Sequence, residues 1–289
     1  MTKVIVGVDG SETAQAALAW ADREAVLHGW PIDALMAWGL LSQQHEDPAA
    51  PFDPTYGESE ARAALGAFVE RAVGADRAPA VGRRPVCALP APALLEAGEE
   101  AALLVVGSRG RGGFTGMLLG SVSQQVLHHT PVALAIVRPL PDRSADADER
   151  IVVGVDGSSA SHDALRWAVA EAALRKARLT VVHAWHMPNA GGYPYIGVGF
   201  EPAPFEEAAQ EAIDAGLAAV DTSVLAHPVE RVTFVGGGAE GILTQAKDAD
   251  LVVVGTRGRG GFSGLLLGSV GHQVARHAPC PVVVVPPAP

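Results

Sequence analysis

The chain has 289 residues, enough for two domains that each bury a substantial core, and 48% of them are hydrophobic. With 32 acidic against 21 basic residues, the formal charge of −11 excludes general binding to nucleic acid or to an anionic membrane, both of which need a basic face. The two cysteines, Cys87 and Cys280, lack metal-ligand spacing, which argues against a disulfide framework or zinc site and for free, mostly buried thiols. The N-terminal MTKVIVGVDGS enters a strand at once, without the zones of a signal peptide. No apolar run approaches the roughly 20 residues that span a bilayer, so a cytoplasmic location is expected.

In chain order, residues 4–9 read as an apolar strand ending at Asp9-Gly10-Ser11, with Ser11 as the cap of a helix over 12–28. Ala14, Ala17, Leu18 and Ala21 fall at helical spacing and face the core. A second strand is expected at 32–38, followed by an irregular stretch from 39 to 57 containing Pro48, Pro51, Pro54 and Gly57. Then come a helix over 58–73, a weaker strand at 83–88, a short helix at 92–100, a buried strand at 102–107, a helix at 121–129 and a last strand at 132–137. The whole plan then repeats. VIVGVDGS at 4–11 returns as IVVGVDGS at 151–158, and Trp20 and Trp38 return as Trp167 and Trp185. The expected domains are 1–140 and 151–289, joined by an acidic linker at 141–150. Strands alternating with helices predict an α/β fold: two tandem Rossmann-like domains, each a five-stranded parallel sheet ordered 3-2-1-4-5 with helices on both faces.

The longest repeated stretch is GSRGRGGFTGMLLGSVS at 107–123, which returns as GTRGRGGFSGLLLGSVG at 255–271 with four conservative differences. Each copy lies between a buried strand and a helix, so backbone N–H groups at the helix start are free to meet an anion. Gly107 and Gly110, like Gly255 and Gly258, are expected to supply positive φ angles and room for a ligand. Ser121 is expected to cap its helix, with Gln124 completing a capping box; His272 takes that position in the second copy and weakens the cap. In a sheet of this order ligands sit beyond the strand C-termini at the switch point between strands 1 and 4. That rule brings the Asp9 loop, the Gly107 loop and Ala37 together, with Asp156, Gly255 and Ala184 as their counterparts. Asp9 and Asp156 are placed to bond a ribose or adenine, or to help hold Mg²⁺ on a phosphate.

The frame Gly107-x2-Gly110-x9-Gly120-Ser121, repeated as Gly255, Gly258, Gly268 and Ser269, resembles the nucleotide-binding signature of the universal stress protein family. The resemblance covers nearly the whole chain as two domains. It implies a cytoplasmic ATP-binding regulatory protein, with Mg²⁺ accompanying the nucleotide and a role in stress response or growth control. It implies one site at Gly7, Val8, Asp9, Ala37, Gly107, Arg109, Gly110, Gly120, Ser121, Val122 and Ser123. The other site would be Gly154, Val155, Asp156, Ala184, Gly255, Arg257, Gly258, Gly268, Ser269 and Val270. It further implies association through the last strands, Leu134–Val137 and Val282–Val285, between domains or between chains as a homo-oligomer, and an unidentified protein partner. Repeat 1 departs from the family pattern at Ala102, where repeat 2 keeps Asp250, and at 129–134, where repeat 2 keeps HAPCPV.

Other readings fit less well. No lysine completes a Walker A loop, no G-x-G-x-x-G follows the first strand, and no nucleophile elbow is present. These absences favour holding a nucleotide over consuming it, with no catalytic residue expected. A slow ATPase or nucleotide phosphotransferase using Asp9 or Asp156, and a dimerisation module with vestigial loops, remain the alternatives. His128-His129 and His183 read as helix-end and strand residues. The arginines Arg109, Arg111, Arg257 and Arg259 form a local basic exception, and the variable segments 39–57 and 186–204, with Phe52, Tyr56, Tyr193, Tyr195 and Phe200, are candidates to cover a pocket mouth or a partner surface.

Overall fold

Val4, Ile5 and Val6 are fully buried, as a run of branched apolar residues shielded on both sheet faces must be. They form β1 (Val4–Gly7) of the computed structural model, which describes residues 2–39, 42–45, 47, 50–111, 118–139, 148–186, 203–258 and 267–287. Arg259, Tyr193, Tyr195, Phe200, most of the linker and the middle of each glycine loop lie outside the described residues.

The chain divides into two compact units, Met1–Asp142 with Pro279–Val284, and Arg143–Ala278 with Val285–Pro289. In the first, β1 is followed by α1 (Glu12–His28), β2 (Ile32–Trp38), α2 (Glu58–Val73), β3 (Val81–Cys87), α3 (Pro90–Gly98), β4 (Leu103–Gly107), α4 (Ser121–His129) and β5 (Ala133–Val137). The parallel order is β3-β2-β1-β4-β5, so β1 and β4 are neighbours whose connections run to opposite sides. Beyond β5 lies β10 (Val282–Val285), antiparallel, with Val283 opposite Ala135. The last strands of the two repeats thus pair within one chain, and residues 279–284 are counted with the first unit.

The second unit holds β6 (Arg150–Gly154), α5 (Ser159–Arg175), β7 (Arg178–Trp185), α6 (Ala203–Ala218), β8 (Glu230–Val235), α7 (Gly238–Gln245), β9 (Leu251–Gly255) and α8 (Ser269–His277). Its parallel order is β8-β7-β6-β9. Val285 stays with this unit, its carbonyl accepting from Thr256 N–H at 3.0 Å, as Val137 accepts from Ser108 at 2.9 Å in the first. Among the described residues no helix is long and apolar enough to cross a membrane.

Local chemistry sets the helix ends. Ser11 and Ser158 cap α1 and α5, each side chain accepting from the N–H three residues on. At the other end Gly29 closes α1 in the left-handed region, φ 66°, while α5 ends on Lys176 in the same conformation, φ 55°. Two sequence expectations are corrected. The cap of α4 is Gly120, not Ser121: Gly120 has extended angles and no side-chain bond, and Ser121 is already helical. Cys87 is exposed, because it ends the edge strand β3, whereas Cys280 is buried.

Candidate functional site

The C-terminal ends of β1 and β4 open where their connecting segments diverge, and a cavity of about 320 Å³ lies there. Gly7, Val8 and Asp9 line it from β1, Ala37 from β2, Gly107, Arg109 and Gly110 from the glycine loop, and Gly120, Ser121, Val122 and Ser123 from the start of α4. A second cavity of about 450 Å³ occupies the equivalent place in the other unit. Gly154, Val155 and Asp156, Ala184, Gly255, Arg257 and Gly258, and Gly268, Ser269 and Val270 line it in the same arrangement. Each predicted group is therefore gathered around one cavity in its own repeat.

The aspartates act first on the protein itself. Asp9 Oδ1 accepts from Ser11 N–H at 3.0 Å and from Ser11 Oγ–H at 2.6 Å, while Oδ2 accepts from Arg111 N–H at 3.0 Å. One carboxylate thus closes the Asp-Gly-Ser turn and pins the glycine loop to it. Asp156 closes its own turn in the same way, accepting from Ser158 N–H at 3.0 Å and Ser158 Oγ–H at 2.6 Å. A carboxylate has about four lone-pair directions, so Asp9, with three taken, keeps acceptor capacity for a ligand.

The glycines serve close approach more than unusual angles. Positive φ falls at Gly10 (78°) and Gly157 (76°) in the aspartate turns, not at Gly107, Gly110, Gly255 or Gly258, which corrects the expectation for those four. A Cβ at Gly107 would stand 2.9 Å from the Thr13 carbonyl carbon in α1, and one at Gly110 would press on the Asp9 carboxylate. The loop and helix α1 are in contact because nothing projects between them. Thr13 Oγ1 donates to the Arg109 carbonyl across the same contact.

The start of α4 follows from this packing. Gly120 N–H donates to Ser108 O at 2.7 Å and Gly268 N–H to Thr256 O at 2.6 Å, which folds each glycine loop back onto the end of its strand. With glycine as the cap, no side chain among the described residues takes the N–H groups of the first turn. Those groups, at the positive end of the helix dipole, border the cavity. Ser123 points elsewhere: its hydroxyl donates to Gly107 O at 2.6 Å, in the buried interior. Repeat 2 has Gly271 there, where a Cβ would lie 3.2 Å from Gly255 O.

Several lining residues escaped the sequence reading. Leu94 of α3 and Ile242 of α7 form apolar walls against Gly7 and Gly154, positions where a Cβ would collide with them. Their signal was available only as two matching apolar positions in short helices. Ser42, Gln44 and Arg111 complete the first cavity. Gln44 is placed by Tyr56, which is 5% exposed and whose hydroxyl accepts from Gln44 N–H at 3.1 Å. Tyr56 packs edge-on against Trp38 at 5.7 Å and against His45 at 5.0 Å, and burial pushes its phenol above the ordinary range.

Comparison with known proteins matches both repeats to one family. The model of the Universal stress protein family matches residues 1–138 and again 149–286. Universal stress protein Rv2005c of Mycobacterium tuberculosis is 33% identical over 290 residues, covering 97% of this chain and 96% of the relative. A universal stress protein of Mycolicibacterium smegmatis is 34% identical, covering 98% and 97%. The crystal structure of a universal stress protein from Archaeoglobus fulgidus shares the fold, with TM-score 0.66 at 22% identity over 99% of this chain and 96% of that one. With its glycine frame, its aspartate turn and its family match each present twice, the chain belongs to the universal stress protein family and carries the family domain in tandem.

Proposed function

We propose that this chain is a cytoplasmic regulatory protein that binds ATP, one nucleotide per repeat, and that occupancy changes which protein it engages in stress response or growth control. The observation that carries the reading is the glycine-capped start of α4 and α8, whose first-turn N–H groups take no side-chain partner among the described residues and border a cavity of nucleotide-compatible size. Phosphates sit at those N–H groups, the base lies between the apolar walls and the strand ends at Ala37 or Ala184, and Asp9 or Asp156 takes a ribose hydroxyl. Mg²⁺ enters with the phosphates. Among the described residues, Asp9 and Asp156 are the carboxylates lining the two cavities, so the ion is held chiefly by ligand oxygens and water.

Both aspartates are engaged in holding their loops, which favours binding over the ATPase or phosphotransferase alternative. Since β10 already covers the edge of β5, any homo-oligomer assembles through another surface. Protein purified without added ligand is denatured and its released nucleotides identified, and ATP-Mg²⁺ is titrated into wild type and Ser121→Glu/Ser269→Glu. About two equivalents bound by wild type and lost in the double variant are expected, since a carboxylate at each helix start repels phosphate. Absence of nucleotide together with absence of ATP binding by wild type overturns the reading.

A further inference from the structure

Several arginines in this acidic chain face carboxylates. Arg77 meets Asp22 at 2.6 Å, Arg175 meets Glu171 at 2.6 Å, Arg178 meets Asp148 at 2.9 Å and Arg231 meets Asp214 at 2.9 Å. Arg111, on the wall of the first cavity, instead meets a neutral partner. Its side chain forms no ion pair among the described residues; Nη1 donates to Gln44 Oε1, a neutral acceptor, at 3.2 Å. Its backbone N–H is fixed on Asp9 Oδ2 at 3.0 Å, and its guanidinium lies over Gly10, where a Cβ would stand 3.0 Å from Nε. The backbone of Arg111 is tied to Asp9, the side chain borders the same cavity as the start of α4, and the bond it makes is the kind an anion displaces.

We propose that Arg111 reads the distal phosphates of the nucleotide in the first repeat, exchanging Gln44 for a phosphate oxygen and so making that site select triphosphate over monophosphate. This rests on the nucleotide reading above. An arginine–phosphate pair is charge-assisted and often bidentate, whereas the arginine–amide pair it replaces is a single bond to a neutral oxygen. The nearest phosphate belongs to the helix N-terminus; the Arg111 side chain, which extends from the glycine loop bordering the same cavity, once released from Gln44 adds affinity only for a ligand with phosphates beyond that one, which AMP lacks. Gln44 is then a competitor that holds the guanidinium in place while the site is empty. Ser42, beside it on the wall, carries no charge to oppose the exchange.

The test is calorimetry of ATP, ADP and AMP with full-length protein in which Ser269→Glu silences the second site. In that background Arg111→Gln is expected to weaken ATP about 10-fold and leave AMP within about 2-fold, as loss of one charge-assisted contact requires. Arg111→Lys restores part of the preference, and Gln44→Leu binds ATP equally or a few-fold tighter because the competing acceptor is gone. A role limited to holding the loop would weaken all three nucleotides alike. An unchanged ATP-to-AMP affinity ratio in Arg111→Gln, with ATP still bound, overturns this inference alone. Failure of the Ser269→Glu protein and of wild type to bind ATP overturns the nucleotide reading and this inference with it.

Discussion

At the residue scale the design turns on one carboxylate doing the work of two contacts. Asp9 joins the turn after β1 to the glycine loop after β4, residues 102 apart in sequence. Asp9→Asn keeps an acceptor for Ser11 but turns an amide N–H₂ toward the Arg111 N–H. The loss of that bond costs about 1–2 kcal/mol and loosens the loop, visible as a lower midpoint in chemical denaturation and weaker ATP binding. Glycines are graded by the same geometry. Gly110→Ala drives a methyl into Asp9 and is expected to cost about 1–3 kcal/mol. Gly120→Ala brings its Cβ to 3.3 Å from Arg109 Cα, a contact relieved by a small shift, so denaturation should rank it well below Gly110→Ala.

Element boundaries were legible wherever apolar periodicity met a strong stop. The predicted spans 12–28, 32–38, 58–73 and 121–129 are those of α1, β2, α2 and α4, each bounded by glycine or by a short turn. Helix α3 begins at Pro90, two residues before the expected start, because proline suits the first turn of a helix. The cap of α4 was misassigned because serine is the commoner cap, while backbone packing at Gly120 decided the matter. Arg111 and Gln44 were invisible as a pair, being 67 residues apart with no periodic pattern between them. The structure also exposes an unequal pair of helix ends. Lys176 occupies the left-handed position that Gly29 fills in repeat 1, so Lys176→Gly is expected to stabilise the second unit by about 1 kcal/mol in thermal unfolding. Around Tyr56 the sign of pH dependence is set by burial. A phenol held above its ordinary value contributes stability that is present below about pH 10 and is lost as pH rises through the raised value. Absorbance titration should show Tyr56 ionising late, and Tyr56→Phe should remove that alkaline loss.

At the scale of the whole molecule, the repeats are similar without being equivalent. Both carry the glycine frame and the aspartate turn, yet the first has Ser123 beside its cavity where the second has Gly271. Two-site calorimetry should therefore resolve unequal ATP affinities. The strand β10 is shared more fully. Removing residues 279–289 takes away its pairing with β5, and the first unit, although complete in its own parallel strands, is expected to lose cooperativity and to self-associate through the uncovered edge.

That pairing also sets a timetable for biosynthesis. Leu134 leaves the ribosome long before its partner Val284, with about 150 residues translated between them, which takes on the order of 10–30 s at cellular rates. Throughout that interval the nascent first unit carries an open, fully apolar strand edge, and contacts so distant in sequence are slow to close. The newborn chain is thus most vulnerable to aggregation, and most in need of a chaperone, while its second half is still being made.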